Sequence, residues 1–313
     1  MKTWGITNTG LVRSENQDAY AAFTVGSCYA AVVCDGMGGT HGGRIASSIA
    51  VERFEAELRA VLQDDAGEEQ LRQAMLYAIS LANDAIRREA ARNTDYQHMG
   101  TTLVCALARE ELVMIGNIGD SRAYHITGDG ILQISRDHSV VENMVEKGDI
   151  TRQEARRHPS RNLITRALGP DIQAQADTFS VPWQQGDFIL LCTDGLVNTV
   201  SDQEMLFEVL HNGDIESCLD HLLQISLQRG ARRIGGLSPR AALLARMISV
   251  LSARSAIHPG FCFCLGFGMA SYCRAAFCIH VRNRFGDAVY LRKSSCKALL
   301  RLCGHIVYLR PDV

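Results

Sequence analysis

Two short apolar runs in this chain end the same way, and that repetition constrains its fold more than any other feature. Ala30 to Cys34 runs into Asp35-Gly36-Met37-Gly38-Gly39, and Phe188 to Cys192 runs into Thr193-Asp194-Gly195-Leu196. Brief apolar runs that stop abruptly at polar and glycine residues read as buried strands. A carboxylate at the end of a buried strand is costly to desolvate unless a positive charge sits on it. Glycine beside it lets the backbone approach a ligand closely. Two readings stay open at this point. One is a hard cation held by oxygen ligands, a backbone carbonyl among them; the other is a strand-to-helix turn capped by the aspartate.

The rest of the chain supplies elements for these strands to pack against. Residues 3–9 can open as a strand, and 20–26 and 28–34 pair as a hairpin about Gly26-Ser27. Ile45, Ile49, Phe54, Leu58 and Leu62 form one helical stripe, and Leu71, Met75, Ile79, Ala82 and Ile86 form a second. Strands follow at 102–108, 111–118 and 122–127, with Asp129-Gly130 as a hairpin turn. A short helix at 140–147 leads into a polar, arginine-rich stretch, 151–166. Helices are expected from about Asp202 to Leu210 and from about Ile215 to Gln228. Arg13 and Asp18, five residues apart, read either as a surface ion pair or as an oxyanion-binding arginine beside a metal-facing aspartate.

Charge divides the chain into two parts that differ in kind. Residues 1–231 carry 19 Lys and Arg against 32 Asp and Glu, whereas 232–313 carry 13 against 2. Cysteines divide likewise. Cys28, Cys34, Cys105, Cys192 and Cys218 lie in apolar runs and read as small core residues, while six crowd the last 52 positions. The opening Met1-Lys2-Thr3-Trp4-Gly5 has no apolar signal segment, so a reduced, cytoplasmic protein is expected. The run from Phe261 to Cys273 is too short and glycine-rich for a membrane span. Gly36-Met37-Gly38-Gly39 lacks the Lys-Ser/Thr of a nucleotide phosphate loop.

Several motifs, in order, resemble the metal-dependent protein phosphatases of the PP2C (PPM) type, and most closely their bacterial serine/threonine branch. They are Arg13-Ser14-Glu15-Asn16-Gln17-Asp18, Asp35-Gly36-Met37-Gly38-Gly39, Ala46-Ser47, Gly100-Thr101-Thr102, Gly119-Asp120-Ser121-Arg122, Asp137-His138-Ser139, the segment from Leu163 to Gly169, and Thr193-Asp194-Gly195-Leu196. The resemblance covers residues 1–231. It implies an α+β fold, a four-layer α/β/β/α sandwich of two antiparallel sheets flanked by helix pairs. It also implies two Mn²⁺ or Mg²⁺ ions, with a third possible. Asp35, the Gly36 carbonyl and Asp194 would be ligands, Asp18 would act through metal-held water, and Asp120 would serve the third ion. Arg13 would hold the substrate phosphate, and 137–169 would be a flap beside the site. The implied reaction is hydrolysis of phosphoserine and phosphothreonine in proteins through a metal-bridging hydroxide, opposing a bacterial Ser/Thr kinase. A monomer without nucleic-acid partners is expected.

Two departures from that pattern bear on function. Relatives place a histidine directly after Asp-Gly-Met-Gly-Gly as a candidate general acid; here Thr40 stands there and His41 follows. The family also closes with Gly-x-x-Asp-Asn and a final strand, whereas this chain reads Gly230-Ala231-Arg232-Arg233. The expectation is therefore a fold lacking its closing strand and one ligand aspartate, with a basic, Cys-rich tail (232–313) of divergent or out-of-frame origin and little order. The alternative function is an impaired module that binds phosphoproteins or a kinase without turnover. Three further readings of the tail are a zinc site at Cys262, Cys264, Cys273 and Cys278, binding of nucleic acid or acidic lipid by its excess positive charge, and a substitute aspartate and strand at Asp287 and 288–291.

Overall fold

The computed structural model describes residues 2–10, 15–109, 111–212, 214–234, 246–252, 279–282 and 288–291. They fall into two compact units, Met1–Ile257 and His258–Val313.

The first unit opens with β1 (Lys2–Asn8), β2 (Asp18–Val25) and β3 (Cys28–Met37), then α1 (Gly39–Val61) and α2 (Glu68–Arg92). Next come β4 (Gly100–Thr101), β5 (Leu103–Ala108), β6 (Leu112–Ile118), β7 (Arg122–Thr127) and β8 (Gly130–Gln133). The segment expected to form the flap, 137–169, holds α3 (Val140–Lys147) and α4 (Arg152–Ala155). The unit ends with β9 (Asp177–Pro182), β10 (Phe188–Cys192), α5 (Asp194–Val197), α6 (Asp202–His211), α7 (Ile215–Ile234) and β11 (Arg246–Ser252). One sheet runs β2-β3-β5-β6-β9, with β4 also paired to β3; the other runs β1-β11-β10-β7-β8. Every pairing is antiparallel.

Four layers follow from the two faces of the inner strands. Ala31 and Val33 of β3, with Val104 and Ala106 of β5, meet Ile189 and Leu191 of β10 between the sheets. Their neighbours Ala30, Val32 and Cys34, with Leu103 and Cys105, turn outward onto Phe54, Leu58, Met75 and Ile79 of α1 and α2. Leu190 and Cys192 likewise face Met205, Leu219 and Leu222 of α6 and α7. A strand buried on both faces loses the polar alternation of a half-exposed one, which is why these runs read as uniformly apolar. The five cysteines from Cys28 to Cys218 are all buried and free, as expected of core residues.

Contrary to expectation, the sandwich has its closing strand. β11 lies between β1 and β10, hydrogen-bonded to both, with Ile248 opposite Ile6 and Cys192. Ile248 and Val250 give the segment strand propensity, and it pairs backbone groups of β1 and β10 that would otherwise face each other across a gap. Gly230 to Arg233, where the family's closing motif is missing, is the last part of α7. β9 was not anticipated. In the second unit, β12 (Ile279–Arg282) and β13 (Ala288–Leu291) pair only with each other in a two-stranded ribbon. The 288–291 segment therefore does not replace the closing strand. Asp287 and the four candidate zinc cysteines lie outside the described residues.

Candidate active site

The aspartates singled out by sequence come together at one end of the sandwich. Asp18 begins β2 and stands directly opposite Asp35 of β3. Directly opposed residues of an antiparallel pair point to the same face about 5 Å apart, and like charges there repel. Asp18 is buried, 7% exposed. Its Oδ2 accepts the Thr193 hydroxyl at 3.2 Å. This bond crosses from one sheet to the other, because Thr193 links β10 to α5. Asp194 follows at the first turn of α5, where Asn198 Nδ2 donates to its Oδ2 at 3.2 Å. Asp120 sits in the β6–β7 turn.

Hydroxyl groups tie these ends together. The Asp35 amide donates to Thr102 Oγ1 at 3.0 Å. The Thr102 hydroxyl also bonds Ser121 Oγ at 2.7 Å. Thr101 Oγ1 donates to the Asp35 carbonyl at 2.9 Å. Asn16 forms a local turn before Asp18, its Oδ1 accepting the Asp18 amide at 3.1 Å while its Nδ2 donates to Thr7 Oγ1 on β1 at 2.8 Å. The carbonyl of Gln17 accepts both the Gly36 amide (3.1 Å) and the Ser47 hydroxyl (2.6 Å). Gly36 has no room for a side chain, since a Cβ would lie 2.0 Å from the Gly43 carbonyl oxygen. That close approach seats the glycine-rich start of α1 against the end of β3, and explains why α1 begins at Gly39, ahead of its apolar stripe. The sequence reading missed Thr193, Thr102 and Ser121 as site residues. Their only signal is a hydroxyl residue beside an aspartate or within Gly-Thr-Thr.

Charge accumulates here. Burial, then the charges of Asp194 and Asp137, push the Asp120 carboxyl up to about 8. Arg122 engages Asp137 through both Nε and Nη2 at 2.6–3.0 Å, so it neutralises that carboxylate. Asp120 and Asp194 line a cleft of about 620 Å³ that continues along Arg122, Gln133 and the flap residues Glu142 and Arg152. The flap helices start on local caps: Ser139 Oγ accepts the Glu142 amide, and Thr151 with Glu154 forms a reciprocal box.

His41 lies in the first turn of α1 and is 62% exposed along its side chain. Its Nδ1 bonds Glu15 Oε2 at 2.8 Å, and Arg44 Nε donates to the other Glu15 oxygen. The His41 and Arg44 bonds hold the Glu15 carboxyl below its usual range. Arg13 lies outside the described residues.

Among the described residues no three Asp, Glu, His or Cys side chains converge into a ready-made metal cage. The donors nonetheless suit a hard cation. They are all oxygens: the Gly36 carbonyl and carboxylates, two of which are opposed across a strand pair, while burial and then neighbouring charge raise the pKa of the Asp120 carboxyl. β11 adds no carboxylate at this end of its sheet: its first residue is Arg246, in register with Asn8.

The Protein phosphatase 2C profile matches residues 12–230, most of the chain and all of the strand-end aspartates. The chain belongs to the protein phosphatase 2C family. Among curated relatives, a serine/threonine phosphatase stp of Listeria innocua is 37% identical over 203 residues, covering 64% of this chain and 79% of that one. The serine/threonine protein phosphatase PstP of Mycobacterium tuberculosis is 32% identical over 225 residues, 72% of this chain but 41% of that longer protein. Among solved structures, serine/threonine phosphatase Stp1 from Staphylococcus aureus superposes with a TM-score of 0.72 at 33% identity, covering 81% of this chain and 95% of Stp1. The protein phosphatase 2C sandwich accounts for both sheets and both helix pairs described above, and among the described residues no helix is long and apolar enough to cross a membrane.

Proposed function

We propose that this chain is a metal-dependent protein phosphatase that hydrolyses phosphoserine and phosphothreonine esters in proteins. The observation that carries this reading is the Asp18–Asp35 pair, opposed across β2 and β3 and joined through Thr193 to the Asp194 turn. Asp18, Asp35, Asp194 and the Gly36 carbonyl would hold two Mn²⁺ or Mg²⁺ ions, with Asp120 at a third. Bound ions of this kind lower the pKa of water and neutralise charge on phosphoryl oxygens. The chain's own groups do the rest. Arg13 binds the phosphate oxygens through parallel hydrogen bonds. Glu15 orients His41 through Nδ1, which leaves Nε2 to deliver a proton to the departing serine or threonine oxygen as its bond to phosphorus breaks. The cleft between the Asp120–Asp194 end and the flap takes the polypeptide around the phosphoresidue.

The substrates of such an enzyme are products of a Ser/Thr kinase, which it would oppose in the cytoplasm. The test is hydrolysis of p-nitrophenyl phosphate and of a phosphothreonine peptide with added Mn²⁺, alongside Asp194→Ala. Mn²⁺-dependent turnover lost in the variant supports the reading; turnover unaffected by Asp194→Ala refutes the site.

One observation favours a second reading. β11 brings an arginine, not a carboxylate, to the site end of its strand. A cage short of one acid would bind its ions weakly, leaving a module that captures phosphoproteins or a kinase without turnover. Millimolar rather than micromolar Mn²⁺ dissociation constants, with phosphopeptide binding retained and no hydrolysis, would select it.

A further inference from the structure

His138 is a buried imidazole that the proposed reaction does not use. Its side chain is 3% exposed. Its backbone amide donates to the Gly119 carbonyl at 2.8 Å, and its ring Nδ1 accepts the Gly119 amide at 3.2 Å. A backbone N–H can only donate, so Nδ1 carries the lone pair and the ring proton is on Nε2. Nε2 then donates to Asp177 Oδ2 at 3.0 Å. Arg166 Nη1 lies 3.2 Å from Nε2, but two donors cannot bond; its partner is Asp177 Oδ1, at 2.9 Å.

The elements joined by these bonds are the base of the flap and a site turn. Ser139 and Ile164 form a bridge across the two feet of the flap, and the Thr165 amide donates to the His138 carbonyl at 2.8 Å. Arg166 follows directly. On the other side, Gly119 precedes Asp120 and holds φ at +107°, where an added Cβ would lie 2.5 Å from Thr102 Cγ2. Glycine adopts that conformation without strain, so the path of the turn is set by the bonds its amide and carbonyl make. Asn117 helps, donating to the Gly119 carbonyl at 3.3 Å and to the Arg136 carbonyl at 2.8 Å. Among the described residues, only His138 grips Gly119 by both its amide and its carbonyl.

We infer that His138 is a positioning residue that couples the base of the flap to the Gly119–Asp120 turn and holds Asp120 toward the cleft it shares with Asp194. This rests on the phosphatase reading only for the role of Asp120. A conformational change at the base of the flap is transmitted through Asp177 and the imidazole to one carboxylate of the site, and occupancy of that carboxylate is transmitted back.

Two substitutions separate the ring's two bonds. His138→Asn puts an amide oxygen near the position of Nδ1 and keeps the acceptor for Gly119. His138→Gln reaches the Nε2 position, keeps the bond to Asp177 and loses the acceptor for Gly119. Hydrogen exchange in metal-free protein should accelerate at residues 119–122 in His138→Gln and stay near wild type in His138→Asn. Outer-shell partners of a metal ligand tune affinity by about 10–100-fold. Calorimetric titration with Mn²⁺ should accordingly weaken by about 10-fold in His138→Gln and change by less than about 2-fold in His138→Asn. With a phosphothreonine peptide, the loss should appear in the Mn²⁺ concentration needed, with kcat at saturating Mn²⁺ near wild type. Equal behaviour of the two variants, or faster exchange spread over both sheets rather than the 119–122 turn, would overturn the inference. An inactive wild-type protein would count against the phosphatase reading, while exchange and metal binding would still decide the role of His138.

Discussion

Replacing Asp18 with asparagine should stabilise the metal-free protein while impairing its response to metal. Asp18 and Asp35 are opposed across the β2–β3 pair, where side chains stand about 5 Å apart. At an effective dielectric constant of about 20, two like charges at that separation repel by about 3 kcal/mol. The asparagine removes this repulsion and keeps an oxygen for the Thr193 hydroxyl, which lies 3.2 Å from Asp18 Oδ2. A bond to a neutral acceptor is weaker than one to a carboxylate, by about 1 kcal/mol. The net gain is about 2 kcal/mol, which in a domain of this size raises Tm by about 4–8 °C. Saturating Mn²⁺ should reverse the order. Wild-type protein at 100 times its dissociation constant gains about 2.7 kcal/mol, and the variant, lacking one anionic donor, gains less. Thermal melts at pH 8 in EDTA and in Mn²⁺ measure all four states. A variant that melts below wild type in EDTA, or gains as much from Mn²⁺, would refute the view that these carboxylates are held together for a cation.

Other consequences follow from particular contacts. Thr102→Val keeps the shape of a buried side chain but leaves the Asp35 amide and the Ser121 hydroxyl without their partner, so it should cost about 1–3 kcal/mol in urea unfolding. A chain ending after residue 234 lacks β11 and should lose cooperative unfolding, whereas one ending after residue 257 should retain it, because that strand lies between β1 and β10 and pairs with both. Asp120 binds its proton more tightly folded than unfolded: its carboxyl is pushed up to about 8, by burial and then by Asp194 and Asp137, against an ordinary value near 4. That contribution to metal-free stability is full below about pH 4 and is lost as pH rises through about 8. Mn²⁺ must displace the proton, so titration calorimetry at pH 7 in buffers of different ionisation heat should report about one proton released, and none from this position in Asp120→Asn.

Much of the fold was legible along the chain. The stripes from Ile45 to Leu62 and from Leu71 to Ile86 became α1 and α2, and Asp129-Gly130 became the β7–β8 turn. Misreadings fell where local signal was weak. β9 has little apolar content and earns its place by pairing with β6. β11 begins well beyond Gly230, where the family motif would place the closing segment and α7 instead continues. For the site, each aspartate announced itself by ending an apolar run or sitting in a glycine turn. Their partners did not: a threonine, a serine or an asparagine has no pattern of its own, and its meaning lies in what it faces.

Sequence alone determined that Asp35 and Asp194 follow buried apolar strand segments, because a run such as Val32-Val33-Cys34 has no stable place except between two apolar layers. Tertiary structure decided which carboxylates meet. Asp18 faces Asp35 through strand register, and Asp18 reaches the Asp194 turn through a hydroxyl on the other sheet. It also decided the part played by His138, which lies 19 residues along the chain from Gly119 yet bonds it twice. Strand identity depends on local hydrophobicity, which the chain carries within each short segment. Register and sheet stacking depend on interactions between distant segments, and those exist only once the layers have packed.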